Sequence, residues 1–460
     1  MTTRASRRQF LKTASLVSLA GAASPLALNL AAIGAASAQA APAYRAIVCL
    51  FLNGGNDHSN TFIPYDQPSY DQYFAARDSI AIARDQLTPT ATAAVASQGG
   101  RQFAFHPSLT GFKTLWDQGK LAVVANVGPL VTPTTKTQYN NRSVPLPPKL
   151  FSHNDQQTAW QADHAAGEGA RLGWGGRVGD ILAGQNTNAL FTCISASGSA
   201  VYLSGNSVLQ YQVSSSGAIS ISSITGNLFG STSASAGYRS LLTRSTAGAN
   251  LVEDEIGVIT NRSITANDQL RTALPAASTL VPAIPANNGL ASQLSVVARI
   301  IAARGTLGTS RQVFFVSIGG FDSHDFLLTQ HVDRMNQVNA AVNAFYAWLV
   351  QMSIQDQVTV FTASDFGRTL TSNGDGSDHG WGSHHFVVGG SVLGGEVYGS
   401  FIPTTFGTSV DVGQGSMIPG LAVDQYAATF ARWLGVSDTD VPLILPNVGN
   451  FGTSRYLPFI

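Results

Sequence analysis

The chain has 460 residues, with 26 lysines and arginines against 26 aspartates and glutamates, so its formal net charge is zero. With only 11% charged residues it offers no basic surface of the kind that nucleic acid requires, which excludes a general nucleic-acid partner. Its two cysteines, Cys49 and Cys193, exclude a disulfide framework. Both lie in apolar, strand-like runs, where we expect buried free thiols, although a single bridge between them stays open.

The first 40 residues predict an export signal. Residues 6–12 read SRRQFLK, a twin-arginine pattern, and an uncharged alanine-rich stretch leads to Ala-Gln-Ala at 38–40. A retained membrane anchor is the alternative, but Gly21 and Pro25 make this stretch a poor transmembrane helix. We expect recognition by the Tat translocase, removal of residues 1–40, and a periplasmic or secreted chain with no stable membrane span. Because the signal carries four basic residues and no acidic one, the mature chain has 22 basic and 26 acidic residues.

The mature chain opens with a strand, helix, strand order. Residues 46–52 (AIVCLFL) form a continuous apolar run, which is typical of a strand buried on both faces of a sheet. Residues 106–119 predict a helix that stops at Gly119, and residues 121–127 predict the next strand. This order favours a parallel sheet with helical crossovers.

The middle of the chain predicts an insertion at about 195–285. Serine and glycine dominate its first part, where short alternating runs such as SAVYLSG and GAISISSI predict β-hairpins on the surface. Helices are expected at about 250–272 and 290–304. No charged or proline-rich linker divides residues 41–460, so we expect one domain.

Alternation of strands and helices returns in the last third. Strands are predicted at 311–318 and 357–363 on either side of a long helix at about 325–351. Two short strands are expected within 384–399, and a closing helix at 424–435. The fold class predicted from this order is a three-layer α/β/α sandwich with a mostly parallel central sheet and a Ser/Gly-rich β insertion.

Candidate metal ligands follow three of the predicted strands. In open α/β sheets, the loops after the carboxyl ends of the strands converge on one edge, and binding groups collect there. The candidates on these loops are Asp57, Asp322, His324, Asp365 and His379. The last two belong to the stretch 364–385, which is so rich in glycine that we expect an irregular loop.

The histidine distribution supports a metal site. Five of the nine histidines lie between residues 324 and 385. Imidazole and carboxylate together suit zinc, manganese or iron better than calcium. Some candidates have structural alternatives: Asp57 could stabilise a turn, Asp365 could cap a helix, and His331 lies on an apolar helix face where a hydrogen-bonded core histidine is expected. His384 and His385 alternate in a strand, so at most one of them faces the site.

Several motifs in a fixed order carry a family resemblance. They are LFLNGGNDHSNTFIPY, FHPSLTGFKTLWDQGKLAVVANVG, FSHNDQQTAWQ, LGWGGRVGD, SIGGFDSHD and SDFGRTLTSNGDGSDHGWGSHHFVVGGSVLGGEVYG. From about residue 44 to 435 the chain resembles the domain-of-unknown-function 1501 family, which looks like a branch of the alkaline-phosphatase-like superfamily. The resemblance implies metal ligation by Asp57, Asp322, His324, Asp365 and His379. It also implies a nucleophile at a helix N-terminus, where Ser152 and the adjacent His153 are the catalytic candidates.

The resemblance sets the expected function. It implies an exported hydrolase of phosphate or related esters that uses one or two divalent ions, zinc first, with manganese, magnesium or iron as alternatives, on a small-molecule or glycan ester. Neither cysteine lies in the C-x-P-x-R pattern that formylglycine sulfatases need, so that class is excluded. Ser152 could instead be a simple helix cap. The alternative function is a non-catalytic binding or assembly protein of the cell envelope that keeps the fold.

Overall fold

A ten-stranded sheet forms the centre of the computed structural model, which describes residues 43–162, 169–219, 221–248 and 250–460. The predicted signal at 1–40 lies outside the described residues. The strands of the main sheet are β1 (Arg45–Leu52), β4 (Leu121–Gly128), β5 (Cys193–Ser195), β6 (Tyr211–Ser214), β7 (Gly217–Ala218), β8 (Arg311–Ile318), β9 (Val358–Ser364), β12 (Ser383–Gly389), β13 (Val397–Tyr398) and β14 (Leu421–Ala422). Two small antiparallel sheets of two strands each lie outside it. One pairs β2 (Phe62–Pro64) with β3 (Phe103–Phe105), and the other is the hairpin of β10 (Arg368–Ser372) with β11 (Ser377–His379).

The sheet is mostly parallel. Its order is β13-β4-β12-β9-β1-β8-β5-β6-β7, and β14 also pairs with β4. In this order β12 and β7 run antiparallel to their neighbours, while the other paired strands run parallel. The three central strands β9, β1 and β8 therefore end at the same edge.

Along the chain, the α-helices alternate with the strands, and the last two follow β14. They are α1 (Gln67–Arg77), α2 (Arg84–Leu87), α3 (Thr110–Asp117), α4 (Lys136–Asn141), α5 (His153–Gln161), α6 (Trp174–Leu182), α7 (Ser222–Thr225), α8 (Thr232–Leu242), α9 (Leu251–Ala273), α10 (Gly289–Ala302), α11 (Arg304–Leu307), α12 (Leu327–Gln351), α13 (Val423–Leu434) and α14 (Val441–Ile444). No helix among the described residues combines the length and the apolar character needed to cross a bilayer.

Two apolar cores cover the two faces of the sheet. Successive side chains of a strand point to opposite faces, and β1 supplies both cores. Val48 and Leu50 pack in one core with residues of α3, α10 and α12. Cys49 and Phe51 pack in the other core with residues of α6 and α13. The predicted three-layer α/β/α sandwich is confirmed, and Cys49 and Cys193 are both buried free thiols, as expected.

Two regions differ in detail from the expected elements. The insertion carries the small β6–β7 hairpin, but α7, α8 and α9 make up most of its regular structure. The stretch 364–385 is not an irregular loop, because it contains the β10–β11 hairpin, in which Arg368 pairs with His379. Gly374 lies in the turn of this hairpin with φ 137°, a conformation that glycine adopts freely, so here the glycines permit strand pairing.

Buried neutral histidines should make the fold sensitive to acid. Burial lowers the pKa of His106, His331 and His385 to about 3 each. An unfolded histidine has a pKa of about 6.5, so below that pH the unfolded state binds more protons, and stability falls as the pH drops from about 6.5 towards 3. Each group contributes up to about 1.4 kcal/mol per pH unit within that window.

Urea unfolding at several pH values tests this effect. Protonation of paired carboxylates also destabilises the fold in acid. We therefore compare how steeply the free energy of unfolding falls with pH in the protein and in a His331→Asn variant. The hydrogen bonds of His331 are to buried partners, and its Nε2 lies 3.2 Å from Asn56 Oδ1. We expect the variant to lose stability less steeply between pH 6.5 and 4.5. Equal slopes would show that His331 does not stay neutral in the folded state.

A candidate metal centre at the carboxyl edge of the sheet

The loops after β1, β8 and β9 meet where these strands end. Gly54 follows β1, Asp322 follows β8 and Asp365 follows β9 directly. The loops approach so closely that a Cβ atom on Gly54, which has φ 115°, would lie 2.4 Å from the backbone nitrogen of Asp322. Only glycine fits this crossing without displacing Asp322.

Three side chains converge at this edge. One ligand atom each from His153, Asp322 and His379 lie within 4.8 Å of one another, so these residues form a group that could hold a metal ion. Nε2 of His153 is 3.3 Å from Asp322 Oδ2, and Nε2 of His379 is 3.3 Å from Asp322 Oδ1. The three residues come from the start of α5, the loop after β8 and the end of β11.

The hydrogen bonds made by Nδ1 of His153 and of His379 leave Nε2 of each ring facing the group. His379 Nδ1 lies 2.7 Å from the carbonyl oxygen of Phe151, and His153 Nδ1 lies 2.6 Å from Asp365 Oδ2. A carbonyl or a carboxylate accepts hydrogen bonds, so both Nδ1 atoms carry the proton and donate it. In the neutral rings, the Nε2 lone pairs therefore face Asp322. Phe366 packs against both rings and holds them in place.

Asp365 lies behind His153. Its carboxylate is fully buried, with Oδ1 accepting from the Gly54 backbone at 3.0 Å and Oδ2 accepting from Gln157 Nε2 at 2.8 Å as well as from His153. The structure thus places this predicted ligand one step away from the group. A carboxylate on the far nitrogen of a metal-binding histidine orients the ring and raises its basicity.

Arg368 sets the charge on Asp322. The guanidinium of Arg368 is fully buried and donates from Nη1 to Asp322 Oδ1 at 2.7 Å and to the Gly54 carbonyl at 3.3 Å. Partial burial opposes ionisation of Asp322, but the guanidinium outweighs it and lowers the pKa of this carboxyl. Arg368 therefore keeps Asp322 ionised and oriented, with Oδ2 left towards His153.

The pKa values of the two histidines shift in opposite directions. The hydrogen bond to Asp365 raises the pKa of His153, whereas burial lowers the pKa of His379. A neutral His379 is ready to ligate, while at His153 a metal ion competes with a proton.

His324 lies beside the group and contacts two of its members. Its Nε2 is 3.0 Å from His379 Nε2 and 3.1 Å from Asp322 Oδ1, and its Nδ1 is 3.2 Å from Asp378 Oδ1. Because the Nε2 of a neutral His379 presents a lone pair, this 3.0 Å approach requires a proton or a cation between the two rings. A neutral His324 with its proton on Nε2 makes this contact as a hydrogen-bond donor, and a metal ion shared by the two rings would replace that proton.

Asp57 is not brought to this group. It lies buried against the fully buried Arg77, with which it forms an ion pair. Arg77 also donates to the carbonyl of Thr369 at 2.9 Å, which ties α1 to the β10–β11 hairpin. The structure therefore places this predicted ligand in an internal ion pair.

The predicted nucleophile also points elsewhere. The Ser152 hydroxyl donates to Asp155 Oδ2 at 2.8 Å, one turn into α5. His384 and His385 are both buried, and their rings pack against Phe401 and Trp160 respectively. His153, which the sequence placed beside a nucleophile, is instead a member of the candidate ligand group.

The donor set fits a divalent transition metal. With metal–nitrogen distances of about 2.0–2.1 Å, neighbouring ligands of a tetrahedral zinc ion lie about 3.3 Å apart. Asp322 Oδ2 lies at that spacing from His153 Nε2, and Asp322 Oδ1 lies at that spacing from His379 Nε2. The ligand atoms of all three residues lie within 4.8 Å of one another. Two imidazoles and one carboxylate leave a position open for a water or a substrate, and the 45% exposed Asp322 side chain faces solvent.

Changing Asp365 tests its place behind His153. An Asp365→Asn variant keeps the shape but weakens the acceptor that orients His153. We expect zinc affinity to fall by about 10- to 100-fold with the stoichiometry unchanged. Isothermal titration calorimetry measures both quantities, and a complete loss of binding would instead make Asp365 a direct ligand.

A scan against protein-family models gives the family. The model for the protein of unknown function (DUF1501) matches residues 44–439. The chain belongs to this family. The match spans the sheet, most of both cores and every member of the candidate metal centre, so the resemblance seen in the sequence motifs is confirmed.

No curated protein matches the sequence of this DUF1501 member. Among solved structures, it is similar to the PsFucS1 sulfatase from Pseudoalteromonas sp., at 11% identity and a TM-score of 0.38, covering 93% of this chain and 74% of that one. It is also similar to the lipoteichoic acid synthase LtaP from Listeria monocytogenes, at 8% identity and a TM-score of 0.34, covering 89% and 76%. The alkaline phosphatase from the Antarctic bacterium TAB5 gives 9% identity and a TM-score of 0.29, covering 76% and 92%. Likenesses this weak carry no argument about the chemistry.

Proposed function

We propose that this DUF1501 protein is a metal-dependent hydrolase of phosphate or related esters that acts outside the cytoplasm. The observation that supports it most is the convergence of His153, Asp322 and His379, with both Nε2 lone pairs turned towards one carboxylate. The twin-arginine pattern of residues 6–12 supports export. A divalent ion held there would supply a Lewis acid that polarises the ester oxygen.

The residues around that ion would orient its ligands and transfer a proton. Arg368 keeps Asp322 ionised, and Asp365 and the Phe151 carbonyl hold the two histidine rings in their ligating orientation. We assign His324 to proton transfer, because its Nε2 borders the open side of the group while Asp378 accepts from its Nδ1. In this arrangement His324 takes a proton at Nε2 and Asp378 stabilises the resulting imidazolium.

We assign the attack on the ester to water. The Ser152 hydroxyl is committed to Asp155, and the structure puts no contact between it and the candidate ligands. Water has access because Asp322 and His324 are 45% and 41% exposed. A hydrolase of this kind forms no covalent enzyme intermediate, so with substrate in excess no such intermediate should accumulate in a pre-steady-state burst of the leaving group.

Metal-loaded protein assayed on three aryl esters tests the proposal. The substrates are p-nitrophenyl phosphate, bis(p-nitrophenyl) phosphate and p-nitrophenyl sulfate. We expect saturable turnover of at least one ester, which His379→Ala abolishes together with metal binding. We expect His324→Gln to keep the metal and to lower kcat by about 10²- to 10⁴-fold.

Two results would contradict the proposal. Turnover that survives His379→Ala would place the chemistry elsewhere. A protein that binds zinc through these residues but turns over none of the three esters would favour the alternative of a non-catalytic binding protein.

A further inference from the structure

A cavity of about 560 Å³ lies beside the candidate metal centre. We call it the polar cavity. Amide and hydroxyl side chains form most of its wall, including those of Asn53, Asn154, Gln157, Thr158, Ser197 and Ser317. It opens at the carboxyl ends of β1, β5 and β8.

The polar cavity is connected to the metal centre through Gln157 and Asp365. Gln157 lines the cavity and donates to Asp365, the carboxylate behind His153. Asn154 follows His153 on the first turn of α5, and Asn53 precedes Gly54, whose backbone also donates to Asp365. A substrate with its ester at the metal centre would therefore place an adjoining group in this cavity.

The side chains that line the polar cavity indicate which kind of ligand group it can bind. None of the lining residues that the structure describes is charged, so the cavity offers no partner for an ionised group. Amides and hydroxyls both donate and accept, which matches the dual character of alcohol groups. Val201 and Phe315 add apolar surface. A ring that carries several hydroxyls on an apolar carbon skeleton fits both features.

A second cavity near the metal centre has the opposite character. It measures about 640 Å³ and is lined by residues that include Arg142, Lys149 and Phe151, whose carbonyl holds His379. We call it the basic cavity. The guanidinium of Arg142 and the ammonium of Lys149, which lies 3.8 Å from Asp155, make this cavity basic and suit an anionic group. The contrast between the two cavities means that a neutral and an anionic part of a substrate would go to different places.

We propose that the polar cavity binds a neutral saccharide ring that carries the ester. This inference rests on the proposed function, since the ester is what brings the ring to the cavity. The hydroxyls of the ring exchange hydrogen bonds with the side chain of Asn154 and donate to the amide oxygen of Gln157, whose nitrogen already donates to Asp365. They also contact the Ser197 hydroxyl, which lies 2.6 Å from the Ser317 hydroxyl. The protein then prefers a sugar ester to an aryl ester of the same acid.

A substrate comparison tests the saccharide assignment. Glucose 6-phosphate and p-nitrophenyl phosphate are assayed with metal-loaded protein, or the corresponding sulfate pair if sulfate is the ester that reacts, and the ratio of their kcat/KM values is measured. Ser199→Trp fills the exposed rim of the polar cavity, and Asn140→Trp makes the matched change at the rim of the basic cavity. Asn154→Ala is the mild variant, which removes one amide without adding bulk.

The expected results separate the two cavities. Ser199→Trp lowers the ratio of sugar to aryl ester by at least about 10-fold, Asn154→Ala lowers it by about 2- to 10-fold, and Asn140→Trp leaves it unchanged. Circular dichroism confirms that each variant is folded. If the aryl ester reacts but the ratio is unaffected by Ser199→Trp and Asn154→Ala, or changes only with Asn140→Trp, the saccharide assignment is wrong.

A failure of the proposed function gives a different pattern. In that case neither ester is turned over, and calorimetric binding of glucose 6-phosphate decides the saccharide assignment alone. Weaker binding to Ser199→Trp than to Asn140→Trp would keep the polar cavity as a sugar site without hydrolysis. Equal binding to both variants, or none to the unaltered protein, would overturn it.

Discussion

Replacing Asp322 by asparagine should abolish stoichiometric zinc binding. Asp322 is the one carboxylate among the three converging ligands, and both of its oxygens lie within 3.3 Å of a histidine Nε2. Its replacement removes the one negatively charged ligand among these three residues. We expect the affinity to fall by more than the roughly 10- to 100-fold that is typical of losing an outer partner. Metal analysis after gel filtration, with calorimetry for the affinity, measures the change.

Two further variants make this result specific. His379→Ala should lose the metal as well, and it leaves the contact between Asp322 and Arg368 in place, so a folding defect from an unpaired arginine cannot explain the loss. Asp333→Asn is the matched control, because Asp333 is an exposed acid on α12. Retention of one zinc per chain by Asp322→Asn would remove this residue from the ligand set.

Replacing Asp57 by asparagine should destabilise the fold and leave the metal centre intact. The change leaves the fully buried guanidinium of Arg77 without its counter-charge. Removing one partner of a buried ion pair costs about 3–5 kcal/mol, because the other charge stays in the interior. Urea unfolding measures the free energy of unfolding, and calorimetry measures zinc binding at a temperature where the variant is folded.

A double variant tests the reason for that loss. Asp57→Leu with Arg77→Met removes both charges, and we expect it to recover much of the stability that either single change loses. The coupling energy is positive only if the two side chains act as a pair. If Asp57→Asn keeps its stability but no longer binds zinc, Asp57 is a metal ligand and the ion-pair assignment is wrong.

The central sheet was predictable because its strands are buried on both faces. Residues 46–52 are apolar throughout, and residues 311–318 and 357–363 are mostly apolar and β-branched. These stretches appear as β1, β8 and β9 with shifts of at most one residue. The long helix α12 was equally clear from its apolar face. By contrast, α8 has a sequence of small residues, TSASAGYRSLL, that carries no strong periodicity, so it was hidden in the predicted β insertion.

The sequence predicted a member of the candidate site only where the side chain lies at or just after the end of a strand. Asp322 and His379 met the other ligands as expected, but Asp57 did not, because Gly54 and Gly55 take positive φ values and the chain after them runs towards Arg77. An ion pair with a residue 20 positions away on a helix leaves no pattern in the sequence. The same holds for His153, whose role depends on Asp365 more than 200 residues later.

Anomalous diffraction from zinc-loaded crystals tests the metal centre most directly. We expect one peak at the zinc absorption edge within about 2.0–2.2 Å of His153 Nε2, His379 Nε2 and an oxygen of Asp322. We also expect Asp365 to stay outside the coordination sphere, with its carboxylate accepting from His153 Nδ1. A peak on Asp57 or on His384 and His385, or none at the carboxyl edge of the sheet, would contradict it.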